Sequence, residues 1–142
     1  MLKVEEMHKA KLVEIGWRFG QAYGGGYIPG QMVMSTLANR VRAGFGQWFD
    51  VINKIPAFMA ENEMPPLVFP SLWDGSFIKL LHVVEGVYEG SATDLSKGAL
   101  YWCDLNRIER PWFKEKVVDA LKDSGERQHP IVANMNSLSF FR

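Results

Sequence analysis

The chain has little of several things that would narrow its chemistry. One of its 142 residues, Cys103, is a cysteine. That excludes an internal disulfide and fits synthesis in a reducing compartment. The thiol reads as buried and inert rather than catalytic. There is no surplus charge, since Lys+Arg and Asp+Glu number 16 each. A balanced chain is not built to hold nucleic acid by neutralising phosphates. No apolar run approaches the roughly 18 residues of a membrane span, so membrane insertion is not expected. The three histidines, His8, His82 and His129, are scattered. Without a His-x-x-x-His or Cys-x-x-Cys pair, neither a metal nor a cofactor is expected. The opening Met1-Leu2-Lys3-Val4-Glu5-Glu6 is acidic and amphipathic, unlike a secretory leader. No internal repeat or low-complexity tract divides the chain, and residues 1–142 read as one domain.

What is present can build a core. Hydrophobic residues make up 47% of the chain and aromatics 13%, which separates it from disordered sequences. Leu12, Ile15 and Phe19 share a face at helical spacing and predict a helix over 3–21, ended by Gly24-Gly25-Gly26. Pro29 suits the first turn of a second helix with Val33, Leu37 and Val41 as its stripe, stopped at Gly44. A short third helix is predicted over Gln47–Lys54, broken by Pro56. Residues 56–70, with Pro65, Pro66 and Pro70, read as an irregular connection running over the surface beside a cleft. Asp74 or Ser76 caps the strongest helical pattern, Phe77, Leu80, Leu81, Val84 and Tyr88, which Gly90 closes. Gly98–Cys103 reads as a short strand and Pro111–Leu121 as a helix. Ser124-Gly125 reads as a turn. Ile131-Val132 and Leu138–Phe141 read as strands that pair with 99–103.

The tract Phe19-Gly20-Gln21-Ala22-Tyr23-Gly24-Gly25-Gly26 stands out. A helix that stops at a glycine-rich loop leaves its last side chains at the lip of a cleft. A carboxylic acid there could protonate a glycosidic oxygen; Gln21 has no titratable proton. The glycines are not a phosphate loop, because they follow a helix and lack a Lys-Ser/Thr partner. They serve either as a plain helix stop or as room for a bulky polymer near the backbone. Tyr23, Tyr27, Tyr101, Trp102 and Trp112 are candidates to stack on sugar rings, with core packing an equal reading for Tyr101 and the plainer one for the others. Glu14, Glu61 and Glu63 are the substitute acids to weigh, and each reads more simply as a solvated charge. Glu14 lies seven residues before Gln21, about 10 Å along a helix axis. Asn39-Arg40 reads as a pair fixing a loop. His82 reads as a helix-surface or packed histidine.

Several of these segments together resemble the cell wall hydrolase family named for the spore-cortex-lytic enzyme SleB. The family carries an aromatic-Gly-Glu-x-Arg-Gly tract, a helix ending in Asn-Arg-Val, a Gly-Ala-Leu-Tyr segment, then Pro-Trp and a C-terminal Asn and Phe. The counterparts here are Phe19–Gly24, Asn39-Arg40-Val41, Gly98–Trp102, Pro111-Trp112-Phe113, and Asn136 with Phe140. The resemblance implies an α+β fold, a mainly helical lysozyme-like domain with a small C-terminal antiparallel β-sheet. It implies cleavage of peptidoglycan glycan strands between MurNAc and GlcNAc, of the lytic transglycosylase type. One glutamic acid would act first as general acid and then as base. That position is Gln21 here, and Tyr23 stands where the family usually has Arg. The glutamine is either a natural divergence or an introduced Glu-to-Gln inactivation. On this reading Tyr23, Tyr27, Tyr101, Trp102 and Asn136 line the substrate groove with Gln21, and no cofactor takes part. Peptidoglycan is the partner. A bacteriophage endolysin is implied, made in the host cytoplasm and acting on the wall after release or as a virion component. A glycan-binding protein without turnover, or a structural phage protein, is the other reading.

Overall fold

The structure, a computed structural model, describes residues 3–53, 64–71, 73–108 and 111–142. Pro56, Glu61 and Glu63 lie outside the described residues. Among the described residues four helices come first: α1 (Val4–Tyr23), α2 (Ile28–Arg42), α3 (Trp48–Asn53) and α4 (Gly75–Glu89). Then follow strand β1 (Tyr101–Asp104) and a short helix α5 (Pro111–Phe113) that continues into a π-helical turn (Lys114–Val118). Strands β2 (Ile131–Met135) and β3 (Leu138–Phe141) complete the order. The fold is α+β, mainly helical, with a small antiparallel sheet near the C-terminal end.

The helices form where the apolar spacing predicts them. Leu12, Ile15 and Phe19 of α1 and Val33 and Leu37 of α2 are each no more than 1% exposed. Full burial of such side chains contributes roughly 1.5–3 kcal/mol apiece. The two helices cross at glycines. A Cβ on Gly30 would sit 2.6 Å from the Gly16 carbonyl oxygen, and one on Gly16 would sit 2.9 Å from the Gly30 oxygen. Only hydrogen at both positions permits that approach. Asp74 caps α4, its Oδ1 accepting from the Ser76 and Phe77 amides at 3.0 and 3.1 Å. Gly90 closes α4 in the left-handed region at φ 89°.

One member of the α4 stripe departs from expectation. Leu80, Val84 and Val87 are buried, but Leu81 is 48% exposed. The five-residue stripe sweeps a wider arc than the line along which α4 meets α1 and α2. Leu81 turns off it towards an apolar groove that Phe69, Pro70 and Trp17 also line. The described part of the proline-rich connection, 64–71, has no regular structure and lies against α1. The Trp17 indole donates to the Val68 carbonyl at 2.6 Å, and Arg18 Nε to that of Pro65 at 2.5 Å.

The sheet order is β1-β3-β2, so β3 is central and antiparallel to both neighbours. Only β3 pairs with β1; the expected pairing of 131–132 with 99–103 does not form. β1 also begins later than expected, at Tyr101. Residues alternate across it. Trp102 enters the main core with Leu138, Phe140 and Phe19, whereas Cys103 and Phe141 face Phe113, Val117 and Val118 on the other side. The sheet is therefore sandwiched between the α1–α2 pair and the 111–118 segment. The helix expected over Pro111–Leu121 is three residues of α-helix and five of π-helix. The physical reason is the burial of Phe113, Val117 and Val118 together. A π turn, with its i→i+5 spacing, brings all three to the sheet, whereas an ordinary turn would carry Val118 round to solvent. Leu121 instead bridges Arg127 across a tight turn at Gly125, whose φ is 89°.

Candidate functional site

Gln21 is exposed on the last turn of α1. Immediately after it the backbone runs through Gly24, Gly25 and Gly26, all at positive φ, a conformation side chains resist. The loop is held from below. Asn136, at φ 54° in the two-residue turn between β2 and β3, donates from its side-chain amide to the carbonyls of Tyr23 and Gly24 at 2.9 and 3.0 Å. A Cβ on Gly25 would lie 2.5 Å from Met135 Cε and 3.1 Å from Asn136 Nδ2, so the hairpin tip fits against a glycine. On the outer side a Cβ on Gly24 would meet nothing within 4 Å. The first turn of α4 borders Gly26 through Ser76, and Lys79 Nζ stands 5.4 Å from the centre of the half-buried Tyr27 ring. The lip is thus built from the end of α1, the triple glycine, the β2–β3 tip and the start of α4.

Asn136 was expected to meet substrate, but its amide protons are given to the backbone. It positions the loop rather than contacting a sugar through those protons. Tyr23 lies parallel to Phe19 at 6.4 Å between ring centres and stays half-buried at the lip. Trp102 departs further from expectation: it is 1% exposed, edge-on to Phe19 at 5.4 Å. No face of its indole is open to a sugar ring. Tyr101 is half-buried on the opposite face of the sheet, with ring centres 5.9 Å from Phe45, 6.2 Å from Phe113 and 5.2 Å from His129. The groove it lines includes Trp112 and His129 and no residue of α1. Gln21 and Tyr101, expected in a single groove, therefore lie apart, and the groove of Tyr101 is not the one expected at Gln21. Strand alternation is the signal that separates Tyr101 from Trp102, because neighbours on a strand point to opposite faces.

Asn39 and Arg40 do fix a loop. The Asn39 amide donates to Asp94 Oδ2 at 2.9 Å and to the Ala99 carbonyl at 3.0 Å. Arg40 is fully buried; its Nε donates to the Leu100 carbonyl at 2.6 Å, and its guanidinium lies 5.0 Å from the centre of the Trp102 ring. Asp94 was not singled out in the sequence, though Asp-x-Ser ahead of a glycine is the signature of a side-chain-capped turn. Its carboxylate accepts from the Ser96 amide and hydroxyl at 2.8 and 2.6 Å and from the Gly98 amide at 2.8 Å. Burial pushes the Asp94 carboxyl up, but these bonds outweigh it and hold the group below its ordinary value.

Of the substitute acids, Glu14 is the one among the described residues, and it sits about two turns before Gln21 on α1. Glu14 is paired with Lys11 at 2.7 Å and with Arg18 at 3.7 Å. His82 is exposed on α4 and Cys103 is buried.

The chain matches no protein family, no curated protein and no solved structure.

Chemically, the lip offers an exposed primary amide, two tyrosines, an ammonium and open backbone. Such groups can donate and accept hydrogen bonds and can stack on a ring. The amide of Gln21 cannot transfer a proton. Among the described residues no group of three or more His, Cys, Asp or Glu is placed to hold a metal ion.

Proposed function

We propose that the chain engages peptidoglycan glycan strands at this lip, in a domain of the lytic transglycosylase type that cuts between MurNAc and GlcNAc. Position 21 is the place of the single general acid and base. With Gln21 there, the chain binds its polymer and turns it over poorly. The observation that carries this reading is the position of Gln21: exposed on the last turn of α1, directly before a triple-glycine loop whose outer side is open. An open lip with no side chains on the loop admits a polymer close to the backbone. Tyr23 and Tyr27 supply aromatic faces beside it. On this reading the protein is an endolysin-type component of a bacteriophage, made in the host cytoplasm and acting on the cell wall.

The test is Gln21→Glu. A correctly placed acid contributes roughly 10²–10⁴ in rate. The variant should clear suspensions of purified cell walls at least about a hundredfold faster than the starting chain. It should release muropeptides lighter by one water than hydrolysed ones, as an anhydro ring requires. No gain in clearing would reject position 21 as the acid's place.

A second reading, a glycan-binding module without turnover, is favoured by the amide itself. It predicts retention of the chain on cell walls with no gain of cleavage in Gln21→Glu.

A further inference from the structure

A cavity of about 630 Å³ opens on the far face of the sheet from α1. Its wall carries Tyr101 and Trp112, and its rim carries Glu115, Lys116, Gln128 and His129. We propose that this groove is a separate saccharide-binding site, which takes a pyranose ring of a glycan against Trp112.

Four observations converge on it. Trp112 is 42% exposed, although its neighbour Phe113 is fully buried. The two rings meet edge-on at 5.9 Å, so Trp112 rests on the buried Phe113 without being covered. A half-open indole is the surface on which the apolar face of a sugar stacks. Tyr101 is anchored between Phe45, Phe113 and His129 and adds a hydroxyl at the groove wall. A phenol is protonated at neutral pH, and burial only raises its proton affinity further, so that hydroxyl can donate as well as accept. The polar rim is of mixed kind: a carboxylate, an ammonium, a carboxamide and an imidazole. That set matches the alternating donors and acceptors of a hydroxylated ring better than a single anion or cation. His129 is oriented, its Nδ1 lying 3.0 Å from the Arg142 carbonyl. Finally, Glu115 and Lys116 ride on the π-helical turn. Such turns are rare and concentrate at functional sites, because the widened backbone re-aims side chains an ordinary helix would place elsewhere.

The ligand class follows from the aromatic wall and mixed rim, and not from the lip at Gln21. A glycan polymer could cross both places, but either could act alone. The experiment therefore reads both at once. The full chain is titrated with the GlcNAc tetramer while two signals are followed by NMR: the Trp112 indole N–H, assigned with Trp112→Phe, and the Gln21 side-chain amide, assigned with Gln21→Ala. Saturable movement of the Trp112 signal is expected. Trp112→Ala should weaken that phase of binding about tenfold, the effect of losing one stacked aromatic. Its unfolding curve should be unchanged. Movement at Gln21 with a silent Trp112 overturns this groove and leaves the lip standing. Movement at Trp112 with a silent Gln21 supports the groove and counts against the lip. Silence at both with the tetramer and with soluble cell-wall fragments overturns both.

Discussion

At the scale of single residues, Asn136 carries two duties that a mutation can separate. Its positive φ makes the hairpin turn, and its amide ties down the glycine loop. Asn136→Gly keeps the first and removes the second. The expected cost is about 1–2 kcal/mol in urea unfolding, because two hydrogen bonds at an exposed site are lost. Amide exchange at Gly24–Gly26 should speed up while that of the sheet stays put. Slow exchange retained in the loop would show that something other than Asn136 holds it. The identity of Asn136 as notable was legible in the sequence, but its partner was not. Nothing local links a residue at 136 to carbonyls at 23 and 24. The same holds for Gln21, whose exposure at a helix end could be read from the glycines that follow it.

At the scale of elements, most helices and the three strand segments were legible, and the order of the sheet was not. The Asp74 cap, the Gly90 stop and the stripes of α1 and α2 are local signals, and the structure places them as expected. Strand order depends on which segments meet across the chain, so no local pattern put β3 in the centre. The 111–121 segment failed for a related reason. Its spacing suits a helix, but the tertiary demand to bury Val117 and Val118 side by side widened the turn. The α1–α2 crossing was invisible too, since Gly16 and Gly30 look like ordinary helix weakeners until the helices are superposed. Gly30→Ala places a methyl 2.6 Å from a main-chain oxygen that cannot swing aside. It should cost about 1–3 kcal/mol, more than the usual gain of alanine over glycine in a helix returns. A melting temperature equal to or above that of the starting chain would mean that the crossing is looser than described.

For the whole molecule, the Asp94 turn is where packing and pH dependence meet. The Asp94 carboxyl is held below its ordinary value of 3.8 by the Ser96, Asn39 and Gly98 bonds that outweigh its burial. A depressed carboxyl stabilises the fold at all pH above its unfolded value. That contribution fades as pH falls from about 4 through the lower folded value. Asp94→Asn should therefore lower stability at pH 7, by about 2 kcal/mol for the lost charged hydrogen bonds. It should also make the acid limb below pH 4 shallower than in the starting chain. Parallel acid limbs in the two proteins would remove Asp94 as the acid-labile post. The post matters because it joins the end of α2 to the approach of β1, and so holds the helical half to the sheet.

The tie between Asn136 and Tyr23 spans 113 positions of the chain. A ribosome delivers the glycines long before it delivers their fastener, so the nascent protein carries an unset mouth until position 136 has been added. Any nonsense codon ahead of the β2–β3 turn would leave helices able to collapse and a loop unable to take its shape. Whatever this protein grips at the lip, it can first grip properly only once the β2–β3 turn has been made.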